Sequence, residues 1–250
     1  MVKNKELHFT TEVILYPLLF LFSIVLVFWA ETRFNLNFNY LGIYPREFYG
    51  LRGVFFGPFI HSDISHLFNN SVPLVVLSMA LFYFYKNIRW KVMFWGLVLT
   101  GVFTWIIGRP ATHIGASGVI YMLTAFLLFK GIFSKQYQLT ALSFVVIFLY
   151  GSFIWYIFPT DPKISWEGHL SGFLVGFLFA VFFKGPKLEN KKFAWEQDDY
   201  DEEQDPFLQQ FDEDGNFIEK KKEEVILDPP KKPTITIRYI LKGEPKKTKE

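Results

Sequence analysis

Five polar side chains in apolar surroundings carry the chemistry of this sequence: His61, His66, Asn70, Ser117 and His169. Polar groups in long apolar runs are costly and are usually kept for function. A serine hydroxyl is a weak nucleophile until a base takes its proton, and near neutral pH that base is most often histidine. Ser117 and His169 supply such a pair. Attack on a carbonyl also creates an oxyanion, which needs preorganised donors. His66 and Asn70 stand at i and i+4, so a helix puts them on one face, and both can donate. The Ser117 backbone N–H is a third donor, because a helix N-terminus leaves such groups unpaired and favours negative charge. Gly115 and Gly118 bracket Ser117 and let the chain turn tightly and approach a bound carbonyl. Tyr121, one turn beyond Ser117, can pack on the imidazole and orient it without a carboxylate. Glu167 adjoins His169 but points to another side of a helix, so no acidic residue completes a triad.

The remaining histidines carry less. A loop-supporting hydrogen bond explains His61 as well as a place beside the site does. His113 reads as a loop or interfacial residue, and His8 has no role. Zinc catalysis usually takes three ligands with tight helical spacing, such as His-Glu-x-x-His. His61 and His66 are five apart with no Glu between them, so neither a metal nor another cofactor is expected.

The elements that must position these groups are membrane spans. Of the 250 residues, 51% are hydrophobic and 20% aromatic, but charge is divided sharply along the chain. Residues 13–183 hold 10 Lys/Arg and 5 Asp/Glu, whereas residues 187–250 hold 13 and 17. A soluble domain carries about a quarter charged residues, so neither part fits one soluble globular domain. A formal net charge of +2 without a basic face excludes a charge-driven nucleic-acid binder. Cysteine is absent, which excludes disulfides, thiol nucleophiles and thiolate metal sites.

A helix crossing the hydrocarbon core needs about 20 mostly apolar residues. Six stretches meet that description: 13–30, 64–85, 90–107, 117–133, 139–158 and 168–183. Lys3 and Lys5 precede the first run, but no small-residue cleavage site follows it, so it is expected to stay as a span rather than leave as a signal peptide. Residues 31–63, aromatic and punctuated by Gly and Pro, are expected to fold into the membrane surface rather than form a free linker. With both termini in the cytoplasm, the inner side receives 11 Lys/Arg and the outer side 5, which sets the orientation. His66, Ser117 and His169 then fall at the outer ends of the second, fourth and sixth spans. Gly168, Gly172, Gly176 and Ala180 recur every four residues, a small-xxx-small stripe that lets two membrane helices approach closely. The expected organisation is a cytoplasmic N-terminus at 1–12, a six-span domain at 13–184 and a charged cytoplasmic tail at 185–250. The tail is expected to be mostly disordered, with a short strand possible at 234–241.

The motifs His61-x-x-x-x-His66-x-x-x-Asn70, Gly115-Ala116-Ser117-Gly118-Val119-Ile120-Tyr121 and Gly168-His169-x-x-Gly172-x-x-x-Gly176 together resemble the rhomboid family of intramembrane serine proteases. They fall in the family's order on spans two, four and six, and the resemblance covers residues 10–185. It implies an all-α, six-helix bundle with a half-submerged first loop. It further implies a serine endopeptidase with Ser117 as nucleophile and His169 as base, and with His66, Asn70 and the Ser117 N–H as the oxyanion hole. His61 becomes a structural or water-organising residue, and Tyr121 stacks on His169. The fifth span and the 159–166 loop become the substrate gate and lid. The partners implied are transmembrane protein substrates and the lipid bilayer, with no nucleic acid, and the location is a bacterial plasma membrane. Two features depart from the pattern. The family's first-loop Trp-Arg pair is replaced by Leu51-Arg52, which leaves the part played by Arg52 open, and the tail after Lys184 has no counterpart in the minimal core. Inactive, Derlin-like relatives that only bind membrane proteins share the fold but typically lose the Ser or the His; both are present here.

Overall fold

The computed structural model describes residues 9–135, 137–149, 155–184 and 193–218. The chain divides into two compact units, 1–189 and 190–250, each described by itself. Among the described residues the first unit holds seven α-helices and no strand: α1 Thr11–Phe34, α2 Gly53–Phe56, α3 Ile64–Phe84, α4 Arg89–Ile107, α5 Ser117–Phe133, α6 Tyr137–Leu149 and α7 Trp166–Phe182. Three of them, α1, α3 and α4, are long and apolar enough to cross a membrane; α5, α6 and α7 are apolar but shorter, at 17, 13 and 17 residues. Within the run read as 139–158, the described residues hold the helix Tyr137–Leu149 and a 3₁₀ turn at Trp155–Ile157; residues 150–154 lie outside the described part.

Burial is distributed as a lipid environment demands. In α1 only Val13, Pro17 and Ile24 are buried, while Leu18, Leu19, Phe22 and Trp29 are exposed. By contrast α5 is buried without a break from Val119 to Leu127, because it is enclosed by other helices. A helix that is apolar all round belongs in such a centre. Its closest companion is α7. A Cβ placed on Gly172 would lie 2.1 Å from the Gly118 carbonyl oxygen, and one on Gly176 2.2 Å from that of Met122. The two backbones therefore touch, which only glycine permits.

Polar contacts fasten the rest. Lys130 of α5 donates to the Ala180 carbonyl at 3.0 Å and to that of Phe183, closing the C-terminal end of α7. Arg89 pairs with Glu12 at 2.5 Å, joining the start of α4 to α1. The 35–63 segment is folded rather than free. Its backbone runs through short helical turns, and Arg46 donates to the carbonyls of Gly108 (2.7 Å) and Ile106 (3.2 Å) at the end of α4. Trp105 Nε1–H donates to the Glu47 carbonyl at 2.9 Å, and Ile43 forms an antiparallel bridge with His113. Arg52 donates to the Tyr40 carbonyl at 2.7 Å and lies over the Tyr40 and Tyr49 rings.

In the second unit, residues 193–218 carry short 3₁₀ turns and a bridge between Phe211 and Phe217. Asp212 holds that turn by accepting from the N–H groups of Asp214 (3.0 Å) and Asn216 (2.7 Å). The strand expected at 234–241 lies outside the described residues.

Candidate active site

Ser117 is the first residue of α5 and His169 lies in the first turn of α7. Their side chains meet: Ser117 Oγ is 2.8 Å from His169 Nε2. The other ring nitrogen, Nδ1, is 2.9 Å from the Tyr156 carbonyl oxygen. A carbonyl can only accept, so Nδ1 carries the proton and Nε2 of the neutral ring is left to accept from the serine hydroxyl. That is the tautomer a general base needs. The Tyr121 ring stacks on the same imidazole, with centroids 4.2 Å apart and planes 11° from parallel. The imidazole is thus oriented by an aromatic face and a main-chain carbonyl, and the carboxylate of Glu167 is directed elsewhere, to Arg109.

The groups read as oxyanion donors converge on Gly115, two residues before Ser117. A Cβ on Gly115 would lie 2.6 Å from His66 Nε2 and 3.8 Å from Asn70 Nδ2. Gly115 also has φ +100°, a backbone conformation that disfavours any side chain. Its N–H donates to the Gly57 carbonyl at 2.9 Å, which attaches the 35–63 segment to the turn that presents Ser117. Asn70 uses one amide hydrogen on the His66 carbonyl, 2.9 Å away, leaving the second for a ligand. Asp63 caps α3 by accepting from the His66 N–H at 2.8 Å, which fixes the first turn bearing these residues.

His61 is buried, with its ring 4.9 Å from that of His66, and the Ala116 N–H points to its Nε2 at 3.5 Å. Burial, reinforced by the neighbouring His66, depresses its pKa to about 4, so it is neutral at ordinary pH. His113 is also buried. Gly118 and Gly172 sit at the α5–α7 contact beside the Ser–His pair, and Gly176 lies one turn further along. A cavity of about 40 Å³ adjoins Ser117, lined among others by Thr100, Thr104, His113, Ser165 and Gly168.

Three features escaped sequence reasoning. The Tyr156 carbonyl has no residue signature, because every residue has one. Arg109 and Glu167 form a pair whose visible sign was a carboxylate at the head of an otherwise apolar helix. His113 contacts Ser165 Oγ at 2.6 Å; its spacing of four from both Arg109 and Ser117 was the available clue.

The family model for the Rhomboid domain matches residues 47–185, more than half of the chain and every residue of the candidate site described above. This chain belongs to the rhomboid family, and its apolar helices make it a multi-pass integral membrane protein. Among similar proteins, Uncharacterized protein Rv1337 of Mycobacterium tuberculosis (strain H37Rv) is 34% identical over 169 residues, covering 63% of this chain and 68% of its own length. Uncharacterized protein ML1171 of Mycobacterium leprae is 31% identical over 171 residues, covering 64% and 66%. A protein of Acanthamoeba polyphaga mimivirus that carries the rhomboid name is 26% identical over 176 residues, covering 67% and 90%.

Proposed function

We propose that this rhomboid-family protein is an intramembrane serine endopeptidase that cuts transmembrane helices of other membrane proteins near the outer face. The observation that carries this reading is the 2.8 Å contact between Ser117 Oγ and His169 Nε2, with the base tautomer fixed by the Tyr156 carbonyl. Ser117 attacks the substrate carbonyl as His169 takes its proton. The oxyanion is received by His66, Asn70 and the Ser117 N–H, which face it from α3 and the start of α5. His169 then protonates the leaving amine, giving an acyl-enzyme on Ser117. Water, deprotonated by the same imidazole, hydrolyses that ester and restores the serine. His61 supports the site through the Ala116 N–H rather than by touching substrate.

In this reading α1, α3, α4, α5, α6 and α7 all cross the bilayer, with both termini cytoplasmic, in a bacterial plasma membrane. The shorter α5 is compatible with crossing because residues 108–116 precede it on the outer side, and the N–H groups of Gly108, Ala111, His113 and Gly115 are bonded to protein carbonyls. The test is co-expression with single-span membrane proteins, comparing wild type with Ser117→Ala, together with labelling by a fluorophosphonate. Ser117-dependent cleavage or labelling is expected. Neither, in folded protein, would assign the chain to the non-catalytic, membrane-protein-binding class of the family.

A further inference from the structure

Besides the Ser–His contact, two polar links join the segment ahead of Ser117 to the start of α7. Glu167 is 1% exposed, and its Oε1 accepts from the Arg109 backbone N–H at 3.1 Å, with Arg109 Nη1 3.6 Å away. The other arm of the guanidinium, Nη2, donates to the carbonyls of Pro162 (2.7 Å) and Ile164 (2.9 Å). His113 forms the second link. Its Nε2 faces the Arg109 carbonyl at 3.2 Å and therefore carries the proton, so Nδ1 accepts from the Ser165 hydroxyl at 2.6 Å. Ser165 is the N-cap residue of α7 yet makes no side-chain cap bond, because its hydroxyl is committed to His113. The links thus run 109–167, 113–165 and 117–169.

Stability alone is a poor reason for Glu167. A buried carboxylate is expensive unless its lone pairs are well satisfied. Here Oε2 is buried without a hydrogen-bond partner among the described residues, and the ion pair at 3.6 Å is long. Such groups are best attested as devices that fix register. The geometry suits that use. Glu167 holds the main-chain N–H of Arg109, so it fixes the path of the loop itself and not merely a side chain. Glu167 lies two positions before His169 and Arg109 eight positions before Ser117, so this bond and the Ser117–His169 bond close one ring.

We infer that Glu167 with Arg109, and His113 with Ser165, are positioning residues that set the separation of Ser117 from His169. The inference rests on the protease reading, and none of the four touches the reacting atoms. The experiment uses purified full-length protein in detergent and a fluorescent fluorophosphonate, with kinact and KI measured well below each variant's melting transition. Glu167→Ala lowers kinact about ten- to a hundredfold, the range expected for a misplacement approaching 1 Å, and leaves KI unchanged. Glu167→Gln, which keeps an acceptor for the Arg109 N–H, recovers most of that loss. Arg109→Ala adds little once Glu167 is already Ala. A second readout needs no turnover. Because the chain has no native cysteine, nitroxides placed at Thr112→Cys and Lys163→Cys report the distance between the 108–116 segment and the 159–166 loop by pulsed electron paramagnetic resonance. That distribution is narrow in wild type and Glu167→Gln and broad in Glu167→Ala. If wild type is not labelled but the distribution broadens in Glu167→Ala, the protease reading falls and the positioning by Glu167 stands. A folded Glu167→Ala with wild-type kinact, or with an unchanged distribution where wild type is not labelled, overturns the inference.

Discussion

Gly172→Ala tests the coupling between helix packing and chemistry most directly. Gly172 lies three residues after His169 on α7. The added methyl would sit 2.1 Å from the Gly118 carbonyl oxygen, 3.0 Å from its carbon and 3.1 Å from the Met122 nitrogen. These are backbone atoms of a helix enclosed on all sides, so no side chain can swing away. Ordinary contact begins near 3.4 Å, so α7 must retreat from α5 by about 1.3 Å. Applied along the Ser117–His169 line, that lengthens a 2.8 Å contact to about 4 Å, which is no longer a hydrogen bond. A misplacement of about 1 Å typically lowers a rate about a hundredfold, and overpacking costs about 1–3 kcal/mol of stability. The control is Gly176→Ala. Its methyl would lie 2.2 Å from the Met122 oxygen, an equal intrusion, but seven residues from His169. Both variants should melt lower in detergent by similar amounts, and Gly172→Ala should lose far more cleavage of a single-span substrate and far more fluorophosphonate labelling. Wild-type cleavage and melting in Gly172→Ala would refute the reasoning, as would a larger activity loss in Gly176→Ala at equal stability.

Ser117→Ala and His169→Ala should each abolish cleavage while leaving the melting transition near wild type; residual turnover in either would remove that residue from the dyad. Asn70→Ala should reduce kcat by up to the equivalent of about 2.7–4 kcal/mol, and by less where His66 and the Ser117 N–H compensate. Full activity on every substrate tested would contradict its assignment as an oxyanion donor. Gly115→Ala should impair turnover at least as much, since its methyl would lie 2.6 Å from His66 Nε2 on a backbone at φ +100°, and a wild-type rate would rule this out. Acidification should destabilise the fold through His61. Its pKa is depressed from 6.5 to about 4 in the folded state, so between those values the unfolded chain binds a proton that the folded one excludes. Stability should fall by up to about 3 kcal/mol as pH drops through that window, with no contribution from His61 above it. Melting temperature against pH checks this, and an identical slope in His61→Gln would refute it.

Much of the fold was legible because its signals are local. Apolar runs near the thickness of a bilayer marked the helices, and their polar ends hold the candidate site residues. The four-residue glycine repeat announced a close helix contact, and Gly172 and Gly176 are where α7 meets α5. Glu167 was correctly separated from His169 by helix geometry, but its real partner, Arg109, is 58 residues away and no periodicity links the two.

Composition and order along the chain were enough to determine which groups could react and that α3, α5 and α7 carry them. These properties depend on apolar length and on residues within a turn of one another. Tertiary structure alone decided that Ser117 and His169, 52 residues apart, meet at 2.8 Å, and that a main-chain carbonyl rather than a carboxylate orients the imidazole. The reason is geometric. A hydrogen bond tolerates only a few tenths of an ångström, and that precision comes from two glycine-lined backbones in contact, which no local stretch of sequence specifies.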